Sequence, residues 1–214
     1  TEYGLDPGEQ LCTDDFAGHL AHNVNLSAKA IMGVASWSVL CRMMGRDKEA
    51  GEFMRRAGEM AESWQNSAVE GDHTLLAFDA ESSWSMKYNL VWDILFGTDL
   101  FDKNMIENEI KWYRRKLNRY GLPLDSRKSY SKTDWTLWCA AMADSGEGLS
   151  ALIHPIYLFL QESGSRVPFS DWYDTHSGDA IHFRNRTVQG GLFMPLLRQS
   201  GKCSMEKLPP ASMP

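Results

Sequence analysis

The most constraining feature of this chain is a helical period in its apolar residues that recurs along most of its length. Over residues 25–44, Leu26, Ala30, Ile31, Val34, Ala35, Trp37, Leu40 and Cys41 fall largely at i, i+3, i+4 spacing, the period of one helix face. Gly45 follows as a C-terminal stop. The same reading gives helices over residues 47–64, started by Asp47, 87–95, 102–119, 134–143, capped by Thr133, and 148–161. Pro155 predicts a kink or late start in the last of these. A final helix is expected over 187–200, bent or shortened at Pro195. Gly121-Leu122-Pro123 interrupts the pattern, and no run alternates at period two. Residues 75–78 read at most as single extended stretches. Helix pairs joined by polar loops recur at roughly 45 to 50 residues, the spacing of hairpin arrays. The expected fold is all-α, a set of helical hairpins. Ile31, Trp37, Leu40, Met60, Ile106, Tyr113, Leu137 and Leu158 are the expected core.

Composition narrows the function. With 43% hydrophobic and 23% charged residues, the chain is too apolar for disorder. Residues 149–160 read as its longest apolar run, which is short of the roughly 20 a membrane span needs. A net charge of −6 excludes nucleic acid as the natural partner. The basic run at 111–119 reads as a solvated helix face. The four cysteines, Cys12, Cys41, Cys139 and Cys203, form no zinc spacing, and Cys41 and Cys139 sit in apolar helices as expected buried thiols. His19 and His22 share a helical spacing but have no evident third ligand, so no metal and no cofactor is expected. Nucleophile and phosphate-loop motifs are absent.

Chemistry concentrates in four polar, aromatic-rich segments, three of them at helix N-termini, which attract anions. These are residues 14–25, 84–89, 124–135 and 170–175 with 184–186. They nominate Asp15, Asp125 and Asp134 as catalytic carboxylates. Asp14, His22, Asn23, Lys87, Tyr88, Arg127, Trp172, Tyr173 and Asp174 are the nominated substrate-binding residues. Each also has a plain structural reading, as helix cap, local ion pair or core aromatic. The expectation is that His22, Asp15, Lys87, Asp125, Arg127, Asp134 and Trp172 surround one concavity.

The same segments carry a family resemblance. YGLDPGEQLCTDDFAGHLAHNVNLSAKAIMG (3–33), WSMKYNLVWDILFGTDLF (84–101), NRYGLPLDSRKSYSKTDWTLWCAAMAD (118–144) and RVPFSDWYDT (166–175) resemble the helical domain of the glutaminase A family. The resemblance implies a six-hairpin (α/α) toroid, hydrolysis of L-glutamine to L-glutamate and ammonia, a secreted or periplasmic setting, and β-rich domains ahead of the helices. It also implies that residues 1–205 are the later part of the toroid; the Pro-rich end, 206–214, reads from its own sequence as a frayed tail. Glutamine hydrolysis needs a carboxylate to activate water, a proton donor for ammonia, and oxyanion donors. Two other readings stand beside it. One is a glycoside-processing toroid, whose paired carboxylates would face across an open, Trp-lined groove. The other is a non-catalytic binding module. An open array of hairpins leaves apolar flanks. Because the helix at 25–44 is apolar around much of its circumference, cover on two sides is expected, from a missing segment, an N-terminal domain or a second copy.

Overall fold

The computed structural model describes residues 3–11, 18–166 and 169–203. Among them are seven α-helices: α1 Val24–Met43, α2 Asp47–Ala68, α3 Val91–Phe96, α4 Lys103–Lys116, α5 Thr133–Met142, α6 Gly146–Glu162 and α7 Met194–Ser200. The 3-10 helices Tyr88–Leu90 and Thr187–Phe193 lead directly into α3 and α7. The expected all-α class holds, with α1 and α2 packed along each other, α5 and α6 likewise, and α5 also touching α3, α4 and α7.

Local chemistry sets the helix limits. Asn23 caps α1 by accepting from Leu26 N at 2.8 Å, Asp102 caps α4 through Asn104 N at 2.6 Å, and Ser145 caps α6 through Gly148 N at 3.0 Å. Two expected caps differ: Arg46 precedes α2, and Lys132 rather than Thr133 precedes α5. α6 runs through Pro155 without a break. Pro195 lies in the first turn of α7, where a missing N–H costs nothing, so the chain switches from 3-10 to α there. Arg198 of α7 closes the C-terminal end of α5, donating to Ala141 O at 2.8 Å and Ala143 O at 2.6 Å.

The core runs through Ile31, Trp64, Leu90, Ile106, Tyr113, Leu137 and Leu152. Trp64 Nε1 donates to Val24 O at 2.9 Å and fixes α2 on the start of α1. Two expected core residues are not core. Trp37 is 40% and Leu40 49% exposed, with Met44 at 47%. Trp37 still meets Phe53 of α2 edge-on at 6.4 Å, and the apolar sequence of α1 alone does not say how fully each side is covered. Met60 and Leu158 are half-buried. α1 also corrects the expectation that no stretch could span a membrane. It is long and apolar enough by length and composition, but half of it is buried, against α2 and the 3-10 helix Tyr88–Leu90.

Short strands missing from the sequence reading organise one end of the array. β1 Val69–Glu70 pairs with β2 His73–Thr74, and β3 Tyr130–Lys132 with β4 Trp172–Asp174, both antiparallel. Single backbone bonds extend the second pair. Leu124 N donates to Tyr130 O, Met86 N to Leu124 O, Thr175 N to Ser129 O and Ile181 N to Trp172 O, each at 2.9 Å. Segments 84–86, 124–126, 129–132, 172–175 and 181 are thereby knitted together. Asn89 Nδ2 donates to Asn25 O at 3.1 Å. These bonds hold the N-terminal ends of α1, of the 3-10 helix before α3, and of α5 at one end.

Candidate functional site

Strand β3 delivers Lys132 to the first turn of α5, and the segment entering β4 delivers Asp171 beside it. Thr133 N donates to Asp171 O at 2.9 Å, which fixes the two segments together. The Lys132 ammonium donates to Asp171 Oδ2 and lies 3.1 Å from Asp134 Oδ1. All three side chains are almost wholly buried. Arg186 reaches Asp171 Oδ2 at 3.4 Å from a half-buried position. Two cations and two carboxylates therefore share one small volume. Burial pushes the Asp134 carboxyl above its ordinary range, against the opposing pull of Lys132.

Aromatic rings frame the cluster. Lys132 Nζ sits 4.8 Å from the Trp135 ring centroid. Tyr88 stacks on Trp135 at 4.5 Å and meets Trp138 edge-on, and Trp138 meets Trp92 in the same way. Asp134 and Trp138 share a face of α5, and the backbone of Gly191 lies on that face. A Cβ at Gly191 would stand 2.8 Å from both Asp134 Cβ and Trp138 Nε1. Gln189 ties the same 3-10 segment down, with Nε2 donating to Phe169 O at 3.1 Å. Asp171 Oδ1 and Trp138 Nε1 are buried without a hydrogen-bond partner among the described residues, capacity that a bound group could use.

The nominated residues divide. Asp134, Tyr88 and Trp172 lie in or beside this cluster, Trp172 through β4 and its edge-on contact with Tyr130 at 5.6 Å. Asp125 is buried and grips Arg127 in a fork, Nε at 3.0 Å and Nη2 at 2.6 Å, on the adjoining segment. Lys87 is wholly buried and donates to Ser85 O at 3.0 Å and Ser85 Oγ at 2.8 Å. Burial lowers its ammonium to about 8, although Glu109 nearby favours the charge. Tyr173 is packed beneath Phe159, its hydroxyl donating to Tyr120 O at 2.8 Å. Asp174 accepts from His176 N at 2.9 Å and Ser177 N at 2.8 Å, closing a turn. Asn23 is the α1 cap, and His22 pairs with Asp6 at 2.7 Å on a partly exposed surface. Asp14 and Asp15 lie outside the described residues. Lys132, Asp171 and Arg186 were not nominated, although the Asp-Trp dipeptide at 134–135 recurs at 171–172.

Cys41, Cys139 and Cys203 are free thiols. No His, Cys, Asp and Glu group of metal-binding shape occurs among the described residues. Clefts of about 440 Å3 between α4 and α6, and about 530 Å3 beside β1 and β2, do not include Lys132, Asp134 or Asp171.

An all-α hairpin array with a buried charge cluster at the N-terminal end of an inner helix defines the class of this protein. Residues 1–196 match the family model described as the glutaminase A six helical-hairpin domain, and the chain belongs to that family. It is 32% identical over 204 residues to Glutaminase A of Aspergillus oryzae, covering 92% of this chain and 29% of that protein. A protein named as a probable glutaminase in Arthroderma benhamiae is 29% identical over 224 positions, covering 90% of this chain and 26% of its own length. The chain thus spans less than a third of the curated relatives it matches.

Proposed function

We propose that this chain supplies the amide-hydrolysing site of a longer glutaminase, acting on the side-chain amide of L-glutamine. The observation that carries the reading is the closed grouping of Lys132, Asp134, Asp171 and Arg186. An amino acid brings one carboxylate and one ammonium, and a site holding both signs of charge matches it. In this reading Arg186 takes the substrate carboxylate and Asp171 its ammonium. Asp134, its proton affinity raised by burial, takes a proton from the attacking water and returns it to departing ammonia. Lys132 stabilises the oxyanion that forms as water adds to the amide carbon. Asp125 and Arg127, with Tyr88 and Trp172, form the surrounding wall.

The geometry is less suited to a glycoside. Carboxylates that cleave sugars stand about 5 to 9.5 Å apart with the sugar between them. Here Lys132 Nζ fills the space between Asp134 and Asp171. The setting we propose is secreted or periplasmic, within a protein that carries further domains. Six hairpins need twelve helices, and the described residues hold seven. We therefore propose that these hairpins are part of a larger ring and that other parts of the protein cover Trp37, Leu40 and Met44.

The test is a thermal-shift comparison on the full-length protein with glutamine, glutamate and oligosaccharides, because a ligand that binds only the native state raises the melting temperature. Stabilisation by glutamine or glutamate but not by sugars is expected. Stabilisation by oligosaccharides alone would replace this reading with the glycoside one.

A further inference from the structure

The chain holds two Asn-X-Ser/Thr triplets, Asn25-Leu26-Ser27 and Asn185-Arg186-Thr187. Such a triplet is an acceptor for N-linked sugar, and a folded protein can carry that bulky, hydrated group only at its surface. The structure separates the two. Asn25 lies in the first turn of α1, is 5% exposed, and holds Asn89 through its carbonyl oxygen at 3.1 Å. Ser27, the hydroxyl residue of that triplet, is wholly buried. A glycan on Asn25 would have to stand inside the packing of α1 against the 3-10 helix Tyr88–Leu90.

Asn185 and Thr187 are both exposed. Asn185 lies in the loop between β4 and the 3-10 helix Thr187–Phe193, at φ 58. This left-handed backbone is one that asparagine tolerates better than most residues. The loop is anchored from its inner side, where Arg186 reaches Asp171 and covers the Phe183 ring at 4.5 Å. The acceptor carboxamide is thus presented outward by a neighbour that is tied inward.

We propose that Asn185 is an N-glycosylation site and that Asn25 is not. In the transfer, a bond forms between Asn185 Nδ2 and C1 of the first sugar of a lipid-linked oligosaccharide. The bond from C1 to the lipid pyrophosphate oxygen breaks, and its electron pair leaves with the pyrophosphate. The amide proton passes to a base of the transferring enzyme. The glycan stands at the rim of the charge cluster, one residue from Arg186, and its presence does not depend on what that cluster catalyses.

The experiment is secretion of the full-length protein from a eukaryotic host, enzymatic removal of N-glycans in heavy-oxygen water, and peptide mass spectrometry. The expected result is heavy-oxygen aspartate at position 185 in most molecules and unmodified asparagine at position 25. In parallel, Asn185→Gln removes the mass of one glycan from the intact secreted protein. An unmodified Asn185 in the secreted protein, a glycan on Asn25, or an intact mass that Asn185→Gln leaves without that loss would overturn the proposal.

Discussion

Lys132 and Asp171 meet where β3 and β4 pair, ammonium on carboxylate, with side chains 1% and 0% exposed. Burying such a pair is unfavourable unless both charges stay matched, and removing one partner is worse than removing both. Lys132→Met would leave buried Asp134 without its cation and Asp171 facing it with the half-buried Arg186 at 3.4 Å. It is expected to destabilise the protein by about 3 to 5 kcal/mol, read by denaturant unfolding. A loss below about 1 kcal/mol, the scale of a surface pair, would mean that the cluster is solvated.

Gly191 is expected to tolerate no side chain. Alanine there would push its Cβ into Asp134 and Trp138, and overpacking of this kind destabilises by about 1 to 3 kcal/mol. Gly190, with open space around it, is the control. Equal stability of Gly190→Ala and Gly191→Ala in thermal unfolding would show that the 3-10 segment does not sit on α5 as described.

Lys87 gives the fold a pH signature. Its folded ammonium loses its proton near pH 8, while the unfolded chain holds it to about 10.5. Between these values the unfolded state binds more protons, so stability rises with pH through the window. Below it, the buried charge lowers stability by about 3 kcal/mol. The Cys139 thiol, pushed up by burial from 9.0, acts in the opposite direction above its ordinary range, so the clear interval is pH 8 to 9. Replacing Lys87 by Met together with Glu109 by Gln should abolish the rise. A wild-type stability that falls between pH 8 and 9 would contradict this origin.

The two sides of α1 should respond in opposite ways. Ile31→Ala, at a fully buried position, is expected to lower stability by about 2 to 5 kcal/mol. Leu40→Gln with Met44→Gln, both exposed, should change the stability of this chain by less than about 1 kcal/mol, while lowering its binding of a dye that reports apolar surface. Undiminished dye binding in that double variant would show that the exposed stripe is elsewhere.

These contrasts show how far the sequence could be read. Helix positions were legible because burying one face repeats apolar residues at a fixed spacing, as Ile106, Ile110 and Tyr113 do in α4. The exposed edge of α1 was not, because Leu40 and Met44 look like core whether or not a partner helix covers them. Asp134 was legible as a carboxylate beside aromatics at the start of a helix. Its partners were hidden: Asp171 comes from a segment 39 residues beyond Lys132, joined by strands of three residues each. That is too short for alternation to declare a strand. Lys87 was nominated for substrate binding because a cation in a polar segment suits a substrate carboxylate. Only the packing of α4 and the 84–86 segment shows it enclosed on Ser85.

The most direct test is glutamine hydrolysis by the full-length protein and its Asp134→Asn variant, read as ammonia release with unfolding measured alongside. Asn keeps the shape of Asp134 and removes its proton-carrying role, while Lys132 retains Asp171. In Asp134→Asn, kcat is expected to fall by about 100-fold or more, the contribution of a positioned acid or base, with the melting temperature close to wild type. Wild-type kcat in a folded Asp134→Asn protein would contradict the assignment of this cluster as the catalytic site.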